Sequence, residues 1–161
     1  ISGNFIEAKD IATHWPTYKS GAKNIGKTAD FTKWRVGRSV LITSGNDETE
    51  EIMNDPDGVF SHYFLYLNTV GKLASGTLGK NIKLKNELPD AMKKAKELII
   101  IGDEKAVTEQ LINFIDIVGP FGTLLLTGHD MTNKSELWKN SFSTMSKTIQ
   151  PILSKYIKQI S

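Results

Sequence analysis

Leu98-Ile99-Ile100-Ile101-Gly102 and Thr123-Leu124-Leu125-Leu126 are the two stretches on which the fold can be read. Both are short and almost wholly apolar, and the first is rich in β-branched residues, a pattern that suits strands buried on both faces of a parallel sheet. Between them, Asp103 and Glu104 place acids in a first helical turn, and Val107, Leu111, Phe114, Ile115 and Val118 recur on one helical face before Gly119-Pro120 ends the run. Strand, helix and strand within about thirty residues is the size of a βαβ crossover. The class that follows is α/β, a Rossmann-like, mostly parallel sheet flanked by helices.

Working outward, Asn86-Glu87-Leu88-Pro89 offers a cap and an early proline, and Leu88, Ala91, Met92, Ala95 and Leu98 follow at helical spacing. On the other side, Ser135 is an N-cap candidate, and Trp138, Phe142, Met145, Ile149, Ile152, Leu153, Tyr156 and Ile160 form a long apolar stripe. A helix there completes a C-terminal βαβα unit. Pro151 lies inside the stripe, where a missing N–H and a bulky ring kink a helix or start a new one. A third strand is expected over Ser39-Val40-Leu41-Ile42-Thr43, with a short acidic helix over Asp47 to Asn54. Tyr63 to Leu67 is apolar, but its periodicity leaves strand and helix both open. Gly71, Gly76 and Gly79, among Lys72, Lys80, Lys83 and Lys85, read as loop or hairpin.

The 161 residues suit one domain, 1–161, with 39% hydrophobic and 24% charged residues in the ordinary globular range. No apolar run approaches the length of a membrane span. The chain therefore reads as soluble, with the cytoplasm as the default compartment. The absence of cysteine excludes a disulfide framework and thiolate-ligated metals. Residue 1 is Ile, so the chain reads as a domain excised or processed from a larger protein, whose other domains are possible partners.

The three strands end alike, in Ser44-Gly45-Asn46-Asp47, Gly102-Asp103 and Thr127-Gly128-His129-Asp130. In an open parallel sheet the carboxyl ends of the strands share an edge, and ligands bind there where strand order reverses. Asn46, Asp47, Gly102, Asp103, Gly128, His129 and Asp130 are thus the candidate ligand-binding residues, and His129 could also serve as a base near neutrality. The competing reading makes the acids helix caps and the glycines turn residues. No catalytic set and no metal-ligand set stands out, so enzyme status and cofactor are left open.

Two other segments carry chemistry. Gly21-Ala22-Lys23-Asn24-Ile25-Gly26-Lys27-Thr28 matches the phosphate-loop pattern, in which Gly21 and Gly26 free backbone N–H groups, Lys27 neutralises phosphate and Thr28 holds Mg²⁺. The residues before it, His14 to Ser20, include a proline and no aliphatic run, so the strand such a loop requires is not legible. A basic surface loop over Lys19 to Lys27 is the preferred reading, and eight matched residues carry no family assignment. From Lys19 to Arg38 the chain also sets Lys19, Lys23, Lys27, Lys33, Arg35 and Arg38 against Asp30, with Tyr18, Phe31 and Trp34 interleaved. Cations for phosphates and rings for bases suit single-stranded RNA or DNA, with Lys19, Lys23, Lys33, Trp34, Arg35 and Arg38 as contacts. Three functions follow: a nucleotide- or phosphorylated-ligand-binding domain of a larger protein, which is preferred; a single-stranded nucleic-acid-binding domain; or a non-catalytic protein-interaction module.

Overall fold

The computed structural model describes residues 1–77 and 84–160. Its centre is β1, Arg35–Ile42, flanked by β2, Ile99–Gly102, and β3, Thr123–Leu126, in the order β2-β1-β3 with both pairings parallel. The α/β class is therefore correct. The two strands read as one crossover unit are not neighbours, however: β1 lies between them.

Helices account for most of the rest. They are α1 (Ala8–Ile11), α2 (His14–Asn24), α3 (Asn46–Asn54), α4 (Val59–Ala74), α5 (Leu88–Leu98), α6 (Glu104–Val118), α7 (Ser135–Thr144) and α8 (Gln150–Ile160). One π-helical stretch, Met145–Ile149, joins α7 to α8. Pro151 is the second residue of α8, and the wider π turn just before it accommodates the ring and the missing donor. Of the two outcomes the sequence left open at the proline, a kink or a new helix, the second is observed.

Alternation along β1 divides the core. Val36, Val40 and Ile42 pack with Ile11 of α1, with Val107, Leu111, Phe114 and Ile115 of α6, and with Leu153 of α8. Leu41 faces the other way, into Ile52 and Met53 of α3, Phe60 and Phe64 of α4, and Ala91 and Ala95 of α5. The two alanines let α4 and α5 approach closely, and this packing makes Tyr63 to Leu67 helical. Gly71 lies inside α4, not in a loop, and Gly76 just beyond it has φ +68. Gly79, Lys80 and Lys83 of the expected hairpin lie outside the described residues.

Register explains three departures from the sequence reading. Ile42 pairs with Gly102, so β1 and β2 end together, but Leu126 pairs with Arg38, so β3 ends four residues earlier along β1. Beyond that point Thr127 N–H donates to the Arg38 carbonyl at 2.9 Å, and Ile42 N–H donates to Ser141 Oγ of α7 at 2.9 Å. The residues of β3 are exposed or half-buried and not buried on both faces as expected, whereas β2, also an edge strand, is largely buried. The sheet also begins earlier than Ser39. Arg35 to Arg38 belong to β1, and all of its residues after Arg35 are buried.

Two glycines are fixed by geometry. Gly119 ends α6 with φ +91, a conformation that favours glycine. At Gly122 a Cβ would lie 1.7 Å from the Thr32 carbonyl oxygen, so the backbone turn over Phe31–Lys33 can cross there only because the side chain is absent. Among the described residues, no helix is long and apolar enough to cross a membrane.

Candidate functional site

The sheet order β2-β1-β3 reverses on passing from β1 to β3, the kind of point at which open parallel sheets take ligands beyond the carboxyl ends of their strands. His129 sits there, in the loop that leaves β3. Its Nε2 lies 2.8 Å from Ser39 Oγ, and the Ser39 side chain projects from mid-β1, fully buried. Ser39 Oγ also accepts a hydrogen bond from Asn4 Nδ2 at 2.9 Å. Three segments distant in sequence thus meet at one hydroxyl.

Aromatic edges enclose the imidazole. Phe60 and Tyr63 of α4 stand nearly perpendicular to it, with ring centroids 5.0 and 4.7 Å away. Phe5 packs on Tyr63 at 5.5 Å, bringing the amino-terminal segment over the same helix. Burial pushes His129 down to about 4, so the ring is neutral at pH 7. With Nε2 engaged by Ser39, Nδ1 has no hydrogen-bond partner among the described residues. Asn4 Oδ1 is a buried acceptor without a partner. Such an atom costs about 1–3 kcal/mol, and few occur in folded proteins.

Arg38, adjacent to Ser39 in β1, is 3% exposed. Its guanidinium lies 4.4 Å from the Phe114 ring centre and donates to the Asn4 carbonyl at 3.2 Å. Desolvation lowers it to about 10, so it stays charged at neutral pH. No carboxylate pairs with it among the described residues.

A cleft of ≈ 550 Å³ opens between the α3–α4 turn and the segment from Asp130 to Lys134, and His129 itself does not line it. Glu51, Asp55, Asp57 and Asp130 line it, against Lys134 and His62. Lys134 Nζ is already 2.8 Å from Glu51 Oε1, a hydrogen bond that raises its pKa. Asp130 is further engaged by the Thr132 N–H and hydroxyl, at 3.2 and 2.6 Å, which lower its pKa. The cleft is acidic on balance and repels a phosphate.

The other candidates are placed as follows. Asn46 and Asp47 open α3 and are exposed. Gly102 closes β2, and Asp103 is the N-cap of α6, accepting the Ala106 N–H at 2.8 Å. Gly128 is exposed beside His129. Neither Asp47 nor Asp103 lines the cleft that Asp130 lines, because β3 stops short of the edge shared by β1 and β2. Among the described residues no group of three or more His, Asp or Glu could hold a metal ion.

The segment read as a basic surface loop is largely helix. Gly21 and Lys23 lie within α2, with Gly26, Lys27 and Thr28 just past its end, and no strand precedes them. Single-stranded nucleic acid is not supported as a partner. Lys19, Lys23, Lys33 and Arg35 are exposed, but Arg38 is sealed in the core and Trp34 stacks on Trp15 at 5.7 Å, so the alternating cations and rings do not form one surface. Of the residues not singled out in sequence, Ser39 had a signal, as a hydroxyl inside an aliphatic strand. Asn4 and Phe60 had none, and Tyr63 stood out only as part of the apolar Tyr63 to Leu67 run, since only the fold brings them to His129.

No family model matches the chain. The chain is 24% identical over 143 residues to the 3,6-diketocamphane 1,6-monooxygenase of Pseudomonas putida, an alignment covering 88% of this chain and 38% of that protein. Among solved structures it resembles a type II Baeyer–Villiger monooxygenase, the oxygenating constituent of 3,6-diketocamphane monooxygenase from the CAM plasmid of Pseudomonas putida, determined in complex with FMN. The TM-score is 0.63 at 20% identity, over 88% of this chain and 39% of that one. The chain thus spans about two-fifths of the length of the relatives it matches, and the likeness establishes its α/β fold.

Proposed function

We propose that this chain is part of an FMN-binding, flavin-dependent monooxygenase and that His129, held by Ser39, contacts the flavin ring. The observation that carries this reading is the neutral, aromatic-walled His129–Ser39 pair at the reversal of strand order, in a chain aligned over 88% of its length with an FMN-binding monooxygenase. Bound FMN would supply the redox chemistry. Ser39 fixes the imidazole plane, Asn4 fixes Ser39, and Phe60 and Tyr63 keep water from the ring face. His129 Nδ1 is then left to exchange a hydrogen bond with the polar edge of the flavin.

The residues present fit the ring and not the phosphate, because the adjoining cleft sets four carboxylates against Lys134. In this reading the phosphate lies away from that cleft. The test is titration of the purified chain with FMN, followed by flavin fluorescence. Saturable quenching is expected, with binding weakened about tenfold in His129→Ala, the worth of roughly one hydrogen bond. Absence of saturable binding, or full affinity in His129→Ala with the protein folded, overturns the assignment.

A further inference from the structure

At the amino end of β1, away from His129, Trp15, Tyr18 and Trp34 wall a second cleft of ≈ 340 Å³. Trp15 stacks on Trp34 with centroids 5.7 Å apart and planes 19° apart, and Tyr18 continues the wall 5.7 Å from Trp15 at 32°. The inner ring is locked in place. Trp34 Nε1–H donates to Ser2 Oγ at 2.9 Å, the same hydroxyl lies 2.9 Å from His14 Nδ1, and Phe121 braces the indole edge-on at 6.3 Å. Tyr18, by contrast, is 62% exposed. A rigid aromatic wall with one open ring, in a cleft within the size range of small-ligand sites, is preorganised for a planar ring.

The charge around the cleft defines the rest of the ligand. Asp30 on its rim already accepts from the Thr32 N–H and hydroxyl at 3.0 and 2.6 Å. It lies 3.7 Å from Lys33, whose side chain is 83% exposed and keeps donors to spare. Among the side chains that line the cleft, Lys33 is the cation whose donors are not all taken up by Asp30. We infer that the cleft binds a planar aromatic ring carrying an anionic group, with the ring against Trp15 and Tyr18 and the anion towards Lys33. A mononucleotide has this chemistry. The site does not depend on the His129 reading, since the two share no residue.

Two of the three tryptophans line the cleft, so intrinsic fluorescence reports on it directly. The purified chain is titrated with AMP, with adenosine and with a short single-stranded oligonucleotide. AMP should quench saturably, and Trp15→Leu and Tyr18→Ala should each weaken it at least about fivefold, the lower bound that base–aromatic stacking sets. Tyr18→Ala removes an exposed ring and should leave the thermal midpoint near that of the parent chain. Lys33→Ala should weaken AMP and leave adenosine unchanged. No saturable quenching by AMP overturns the site, as does retention of affinity in a folded Tyr18→Ala. Equal affinity for adenosine and AMP overturns the anionic group. Quenching by the oligonucleotide with AMP inert overturns the small-ligand assignment in favour of an extended strand.

Discussion

Acidification should reveal His129 through stability. Burial holds its folded pKa at about 4 against an ordinary 6.5, so the unfolded chain takes up the proton first as pH falls. The sign follows: the native state is favoured above pH 6.5, its advantage shrinks between 6.5 and about 4, and below that this group costs nothing further. Across that span the effect is at most about 3.5 kcal/mol at roughly 1.4 kcal/mol per pH unit, and about 1–2 kcal/mol once the ring's partial exposure is discounted. Carboxylates titrate in the same range, so the comparison is with His129→Gln, which keeps a polar group beside Ser39 and does not titrate. Urea unfolding of both proteins at about pH 7 and about pH 4.5 supplies the difference. The parent chain should lose about 1–2 kcal/mol more than the variant on acidification. Parallel losses would show that the imidazole is not desolvated by Phe60 and Tyr63, and the proposed ligand contact would lose its neutral donor or acceptor.

Gly122→Ala should cost more than about 3 kcal/mol or prevent folding, because its Cβ would meet the Thr32 backbone at 1.7 Å. A thermal midpoint close to that of the parent refutes the close approach. Arg38→Met should change unfolding free energy by less than about 1.5 kcal/mol, since a buried cation without a carboxylate gives up its desolvation cost with its charge. Arg38→Ala, which also leaves a cavity beside Phe114, should cost about 2–4 kcal/mol in the same urea titration. Asp103→Ala should destabilise by about 1 kcal/mol through loss of the α6 cap, visible as a lower urea midpoint with unchanged slope.

Much of the secondary structure was legible because its causes are local. The aliphatic runs at Ile99 to Ile101 and Thr123 to Leu126, the Asp103 cap, Gly119-Pro120 and Pro151 each act within one or two turns of chain, and each marks the element or boundary observed. What the residues could not disclose was how those elements meet. Tyr63 to Leu67 became helix because Ala91 and Ala95 offered a surface for it. Thr123 to Leu126 became an outer strand because β1 took the centre, and Arg38 went inside because the pleat turned it towards Phe114. The candidate site follows the same division. His129 stood out as a loop histidine after a strand, but its neutrality, its hydroxyl and its aromatic walls come from β1, α4 and the amino-terminal segment. Ser39 lies 90 residues from His129 and 35 from Asn4. Hydrophobic periodicity and capping reach only a few residues, whereas strand order and register are set by burial summed over the whole core, and only that sum brings these three side chains together.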